Sequence, residues 1–345
     1  MHNKPFRAWA TAFSLASTLA FYGCGGGGSD SNASSGSGST PVTPTPSALT
    51  GITEAKHVNV SANAYVGAQS LLDAPEQSSD LLAGVTVGGD VFNAPRATIS
   101  LLTLGLGGAA PLVSGVTQNV TCPGGGSAQL DATMSSSSQV KPGDTIAVSA
   151  NDCVSGGARI NGRMSIVVQQ TSGTLSDGVL SMKLAVQYQG FTVALNSGSR
   201  NIDGDMLLTY QRDAAGALSY VISGNALSIA ETDKSAQVVQ RTLQGYSGTI
   251  NSSGLNTTST VQGRLSGQTA AAGQFSVDLK TLQPFVNDGS GNAPKSGVML
   301  VSGAGSTVTM TAVDALNVRL DYSANGDGVT TKSTTVTWDA LKKAI

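Results

Sequence analysis

From about residue 116 onward, apolar side chains recur at every second position, and this one periodicity limits what the chain can fold into. Ile160, Gly162, Met164, Ile166 and Val168 alternate with polar neighbours, as do Leu180, Met182, Leu184, Val186 and Tyr188. Met206, Leu208 and Tyr210 repeat the pattern, followed by Phe275, Val277 and Leu279, then Val308, Met310 and Ala312, then Val318, Leu320 and Tyr322; Val336 and Trp338 close the series. A period of two means strands with one buried face. The interruptions carry turn chemistry: Ser176-Asp177-Gly178, Ala214-Ala215-Gly216, Asn251-Ser252-Ser253-Gly254, Asn287-Asp288-Gly289 and Asn325-Gly326-Asp327-Gly328. Connections this short join antiparallel neighbours. No strand–helix–strand rhythm is present, which argues against a parallel α/β sheet. The pattern predicts a mainly β protein: a large antiparallel meander sheet (open, curved or barrel-like) with one or two helices packed on its apolar face.

Residues 51–115 read differently and are expected to be partly helical within a single β-rich domain, 51–345. Ser61 to Asp73, with Tyr65, Val66, Leu71 and Leu72, predicts a helix. Asn93-Ala94-Pro95 reads as an N-cap with proline in the first turn, leading to Ile99, Leu101, Leu102 and Leu104 before Gly105, Gly107 and Gly108. A further short helix is predicted over Asp339–Ala344.

The first fifty residues read as an address. MHNKPFR carries Lys4 and Arg7, and residues 8–22 form a predominantly apolar stretch, shorter than the ~20 helical residues that span a bilayer. This is the layout of a secretory signal. Phe21-Tyr22-Gly23-Cys24 then resembles the bacterial lipobox, with Gly23 and Cys24 matching and Phe21 and Tyr22 bulkier than the usual residues. GGGGSDSNASSGSGSTPVTPTP follows, a low-complexity tether without the apolar side chains to form a core. As a flexible coil, residues 25–50 would span ~25–30 Å. The chain thus resembles bacterial lipoproteins of the proteobacterial type. The resemblance implies a signal peptide over 1–23, removal before Cys24, lipid on Cys24 and an unstructured tether over 24–50. Gly25 stands where Asp would imply inner-membrane retention, so the resemblance favours the outer membrane. A diacyl group with an amide-linked chain supplies the two signals that stable anchoring needs.

Cys122 and Cys153 are the other cysteines. In an oxidising compartment two cysteines should pair. Each lies beside a turn signal, Cys122-Pro123-Gly124-Gly125-Gly126 and Asn151-Asp152-Cys153, with Lys141-Pro142-Gly143-Asp144 between them. A disulfide is therefore expected to staple strand, turn, strand, turn, strand. A redox pair would more often be spaced C-x-x-C, and a metal site needs more nitrogen or sulfur ligands.

Composition narrows the functions. Only 12% of residues are charged, and the 19 basic and 21 acidic residues become 17 and 21 once Lys4 and Arg7 are removed. No basic field exists to attract nucleic acid. A membrane-spanning barrel shares the alternation, but only 11 of the 16 aromatics lie beyond residue 23, too few for aromatic girdles, and Lys342-Lys343-Ala344-Ile345 lacks a terminal aromatic. A sheet outside the bilayer is the better expectation.

Catalytic constellations are sparse. His57 is the one histidine beyond residue 23, is expected at a surface or strand edge, and follows no G-x-S-x-G elbow. Asp203 and Asp205 straddle Gly204 and invite comparison with a glycosidase pair, but alternate residues on one polar strand face, or at a bulge, give the same spacing. Asp321, Ser323, Asn325 and Asp327 resemble the start of an EF-hand calcium loop; Lys332 stands where the bidentate Glu belongs, and a hairpin turn explains the same residues. The glycines after Cys122 and at 105–108 lack the lysine of a phosphate loop. No cofactor is expected. The reading that remains is a non-enzymatic, membrane-anchored envelope lipoprotein with a structural or binding role, its partner an envelope protein. The alternatives are a periplasmic carrier of lipid or another apolar ligand, and a hydrolase of unknown substrate.

Overall fold

Strand length sets the architecture. The computed structural model describes residues 48–72, 116–135, 140–155, 158–174, 179–195, 198–233, 238–289 and 293–345. Among the described residues, fourteen strands form one sheet. They are β1 Val116–Thr121, β2 Ser127–Thr133, β3 Thr145–Ser155, β4 Ala158–Thr174, β5 Val179–Leu195, β6 Gly198–Arg212 and β7 Leu218–Asp233. The second half comprises β8 Val238–Ser253, β9 Asn256–Thr269, β10 Gly273–Asn287, β11 Ser296–Gly303, β12 Ser306–Ala312, β13 Asn317–Ser323 and β14 Lys332–Thr337. Every strand pairs antiparallel with the next, so the sheet is the expected meander. Among the described residues it is open, with β1 and β14 as its edges. β4 and β5, at 17 residues each, reach about 55 Å.

One face of the sheet is the core. Met164, Ile166, Leu184, Ile202, Leu208, Ile222, Val277, Met299, Val308 and Leu320 lie in a single contiguous apolar cluster and are essentially solvent-free. The other face is mostly polar, with Ser165, Lys183, Gln187, Thr209, Ser223, Thr249 and Thr260 at the intervening positions and Val167 and Val221 exposed among them. Helix α1, His57–Leu72, begins four residues before the predicted Ser61. From Val60 to Ala68 it is buried on every side, and it packs on β8, β9, β10, β12 and β13. Its sequence has no polar stripe, as suits a helix enclosed by core. The predicted C-terminal helix is α2, Trp338–Lys342, capped by Thr337, whose Oγ1 accepts from the Ala340 N–H. It starts at Trp338, which thus belongs to the helix and not to the last strand. Tyr65, Phe285 and Trp338 join α1, β10 and α2 through ring contacts of 4.6–6.4 Å. The predicted helix after Asn93-Ala94-Pro95 and the glycines at 105–108 lie outside the described residues. No described helix is long and apolar enough to cross a membrane.

The long strands are creased. Register shifts occur at β3–β4, β4–β5, β5–β6, β6–β7, β8–β9, β9–β10 and β10–β11, and in each of these ladders a shift falls beside those of its neighbours; a second β4–β5 shift, between Val168 and Gln170, lies off this line. The line runs through Asp152, Gly162, Gly190, Gly204, Asn225, Gly245 and Gly263 to Leu282 and Gly297. Each bulge bends its strand and adds twist, so a row of them bends the long-strand part of the sheet. Glycine is obligatory at the tightest places. Gly162 has φ +90°, and a Cβ there would lie 2.0 Å from the Gly190 carbonyl oxygen; at Gly204, φ +128°, the clash would be 2.1 Å with Ala226.

The chain enters this fold through a strap. Thr50 donates its N–H to the Ser276 carbonyl at 2.9 Å, and its own carbonyl accepts from Ala304 at 3.0 Å. Ile52 donates to Ser306 Oγ at 2.7 Å, and the Tyr322 hydroxyl donates to the Ile52 carbonyl at 2.9 Å. Glu54 pairs with Lys332 at 3.0 Å, and Lys56 Nζ donates to the Ala272 carbonyl at 3.0 Å. Residues 50–56 are thereby fastened across β10 to β14 before α1 begins.

Candidate functional sites

The two cysteines meet. Cys122 and Cys153 form a disulfide with a Cα separation of 5.3 Å. It ties the β1–β2 turn to the bulge of β3, where Asp152 holds φ +53°. Backbone bonds from Gly124 to Val154 and from Val154 to Gly125, both 2.9 Å, brace the same junction. Asp152 donates its N–H to Asn161 Oδ1 at 2.7 Å and pairs through its carboxylate with Arg159. Cys24 lies outside the described residues.

Asp203 and Asp205 stand on the polar face at the crease, and each serves a different bulge. Asp203 Oδ1 accepts from the Gly190 N–H of β5 at 2.5 Å. Asp205 accepts from the Asn225 N–H, Asn225 Nδ2 and the Ala226 N–H of β7, all at 3.1 Å. The Tyr246 hydroxyl donates to the Asp205 carbonyl at 2.7 Å, and burial pushes that phenol's pKa well up. A groove of about 600 Å³ lies beside them, lined in part by Ser165, Gln187, Ser223 and Asn225. The carboxylates there hold backbone N–H groups that the bulges free from the ladder, a structural task.

His57 is corrected from the expected surface or strand edge. It opens α1 and is 3% exposed. Its Nδ1–H donates to the Glu54 carbonyl at 2.5 Å, leaving Nε2 to accept from the Thr334 hydroxyl at 3.1 Å. Its ring lies 5.7 Å from that of Tyr322. It seals the junction of strap and helix.

Of the calcium-like residues, Asp321 and Ser323 end β13, and Asn325 and Asp327 lie in its connection to β14. Asp321 accepts from Ser333 Oγ at 2.7 Å and from Arg319 Nε at 2.8 Å. Asp327 accepts from Ser323 Oγ and from the Val329 N–H, both 2.9 Å. The Val329 N–H, then the Ser323 hydroxyl, lower the Asp327 pKa below the usual carboxylate value. Asn325 is exposed at the tip, and Lys332 pairs with Glu54. The two carboxylates are thus committed to separate bonds within a hairpin. Among the described residues no three His, Cys, Asp or Glu side chains are grouped to hold a metal.

Sequence reasoning passed over one cluster. Arg241 of β8 is 5% exposed on the core side of the sheet. Its Nε donates to Asn63 Oδ1 of α1, and its Nη1 to Glu231 of β7, each at 3.1 Å. Glu231 also pairs with Arg200 of β6 at 2.9 Å. Asn63, fully buried, donates to the Asn59 carbonyl at 2.9 Å and to Thr269 Oγ1 at 3.4 Å. Burial lowers the Arg241 pKa, and Glu231 opposes that shift; a guanidinium remains charged in either case. The signal available in the sequence was a charged residue two positions before Leu243, in phase with the buried side.

No model of a protein family, no curated protein and no solved structure matches this chain.

Proposed function

We infer that this chain is a non-enzymatic lipoprotein of the bacterial cell envelope, cut before Cys24, anchored by lipid on that residue and displaying a β-rich module on a short tether, with the outer membrane favoured. The observation that carries the reading is the strap. The 23 residues between Cys24 and Ala48 lead to a segment bonded to Ser276, Ala304, Ser306 and Tyr322, so tension on the tether would be borne by the sheet. An anchored module needs such an attachment; a freely diffusing one has less use for it. The basic segment, the apolar run and Gly23-Cys24 support the anchor, and the oxidised cysteine pair suits an extracytoplasmic compartment. The mostly polar outer face offers a broad surface to an envelope partner. The contiguous core weighs against the carrier of apolar ligands, because the sheet's buried face is filled by its own side chains. Asp203, Asp205 and His57 are all spent on structural bonds, which weighs against the hydrolase. The test is fractionation of a Cys24→Ser variant expressed in a bacterium. It should leave the membrane fraction or remain unprocessed. A processed variant that still sediments with membranes overturns the anchor.

A further inference from the structure

Arg241 occupies a place where a wrapped sheet ordinarily puts an apolar side chain. Its ladder neighbours are Ile229 on β7 and Gly267 on β9. Gly67 of α1 lies over it, where a Cβ would stand 3.7 Å from Arg241 Cδ and 3.0 Å from the Leu265 methyls. Asn63 takes the Nε–H and Glu231 takes one Nη1 hydrogen. Those two bonds account for a clamp between helix and sheet. They do not account for Nη2, which is buried and meets no acceptor among the described residues. A buried donor left unpaired forfeits its hydration without return, so native structures almost always supply a partner. Nη2 carries two hydrogens, and a carboxylate oxygen is a strong acceptor for such a charged donor. The cluster also reaches solvent: the Arg200 and Glu231 side chains are 22% and 23% exposed. The Arg200 guanidinium there adds a second positive charge beside Glu231.

We propose that Nη2 of Arg241 binds the carboxylate of a small monocarboxylic acid, which reaches it from the partly exposed Arg200–Glu231 side of the cluster. Glu231, already 3.1 Å from Nη1, repels a doubly charged phosphate and favours a single charge. Equilibrium dialysis of radiolabelled acetate against the purified full-length chain, at fixed ionic strength in chloride, tests this. At about 10 mM acetate, one acetate should bind per chain and be displaced by formate but not by inorganic phosphate. Arg241→Lys replaces the fork with a point charge and should weaken binding at least about tenfold. Arg200→Gln, at a partly exposed position, should keep the fold and weaken binding about threefold through the lost attraction. Circular dichroism shows which variants fold; if Arg241→Lys does not, Arg200→Gln decides. No bound acetate, equal displacement by phosphate, or acetate binding unchanged in the folded variants overturns the proposal. So does a crystal structure from acetate buffer with only water at Nη2.

Discussion

The sheet has two regions built by different rules. From β11 through β14 the ladders run without a single register shift, and the strands are six to eight residues long. From β3 through β10 the strands reach 17 residues, and bulges cross all but one of the ladders. Short strands need no device to stay on a core. Long ones would run off it as a twisted ribbon unless bent, and all but one of the bends here, the β4 shift at Val168 to Gln170, are aligned into one crease. Curvature is therefore a property written into backbone conformation in one region and avoided by shortness in the other.

The largest effect should come from stiffening the crease. Gly162→Ala forces a Cβ onto the Gly190 carbonyl at φ +90° and should cost about 4 kcal/mol or abolish folding. The matched change in the short-strand region is Gly305→Ala, at φ +68° with open space around it, which should cost only about 1 kcal/mol. Denaturant unfolding of both variants makes the comparison, and equal costs would remove the distinction. Next is the staple on the creased side. Converting Cys122 and Cys153 to serine opens a 31-residue loop and should cost about 3–4 kcal/mol while the fold survives on its large core; a melting curve that loses cooperativity would show the staple to be indispensable. The smallest effect concerns acid. Asp144 is 2% exposed; burial acts to raise its pKa, but bonds from the Lys141 N–H, the Ser135 N–H and the Ser135 hydroxyl outweigh that and hold it below the usual carboxylate value. A depressed carboxylate contributes stability that is present above its unfolded pKa of about 3.9 and is lost as pH falls through its folded value. Asp144→Asn should therefore flatten the loss of stability below about pH 4, whereas Asp327→Asn, in an exposed hairpin, should change it less. Urea titrations at pH 7 and pH 3 separate the two.

The same division explains what could be read from the sequence. Alternation was legible in Val308–Ala312 and Val318–Tyr322 because no bulge interrupts them. It was legible in Met164–Val168 and Leu180–Tyr188 because those runs lie to one side of the crease. β7 and β8 were not announced in this way. Their buried positions change parity at the crease, from Tyr220 and Ile222 to Leu227 and Ile229, and from Leu243 to Tyr246 and Ile250. β9 hides for another reason: Gly263 and Gly267 fall between Val261 and Leu265 and beyond, thinning the apolar signal. The cysteine pair was legible from count, Cys122 and Cys153 being the two cysteines besides Cys24 in a chain that reads as exported, and the turn signals beside each placed the staple. His57 was misplaced because a polar residue near a tether reads as exposed, and nothing local reveals that a strap will bury it against Tyr322. Arg241 escaped notice because a lone charge in a strand is ordinarily solvated; its burial depends on Asn63, 178 positions away.

The proposed anchor at Cys24 is tested most directly by the mass of the protein extracted from bacterial membranes. The expected result is a chain that begins at Cys24, heavier than its sequence by a diacylglyceryl group and an amide-linked acyl chain, with both additions on the Cys24 peptide. A chain that begins at another residue, or one that begins at Cys24 with no added mass, would contradict it.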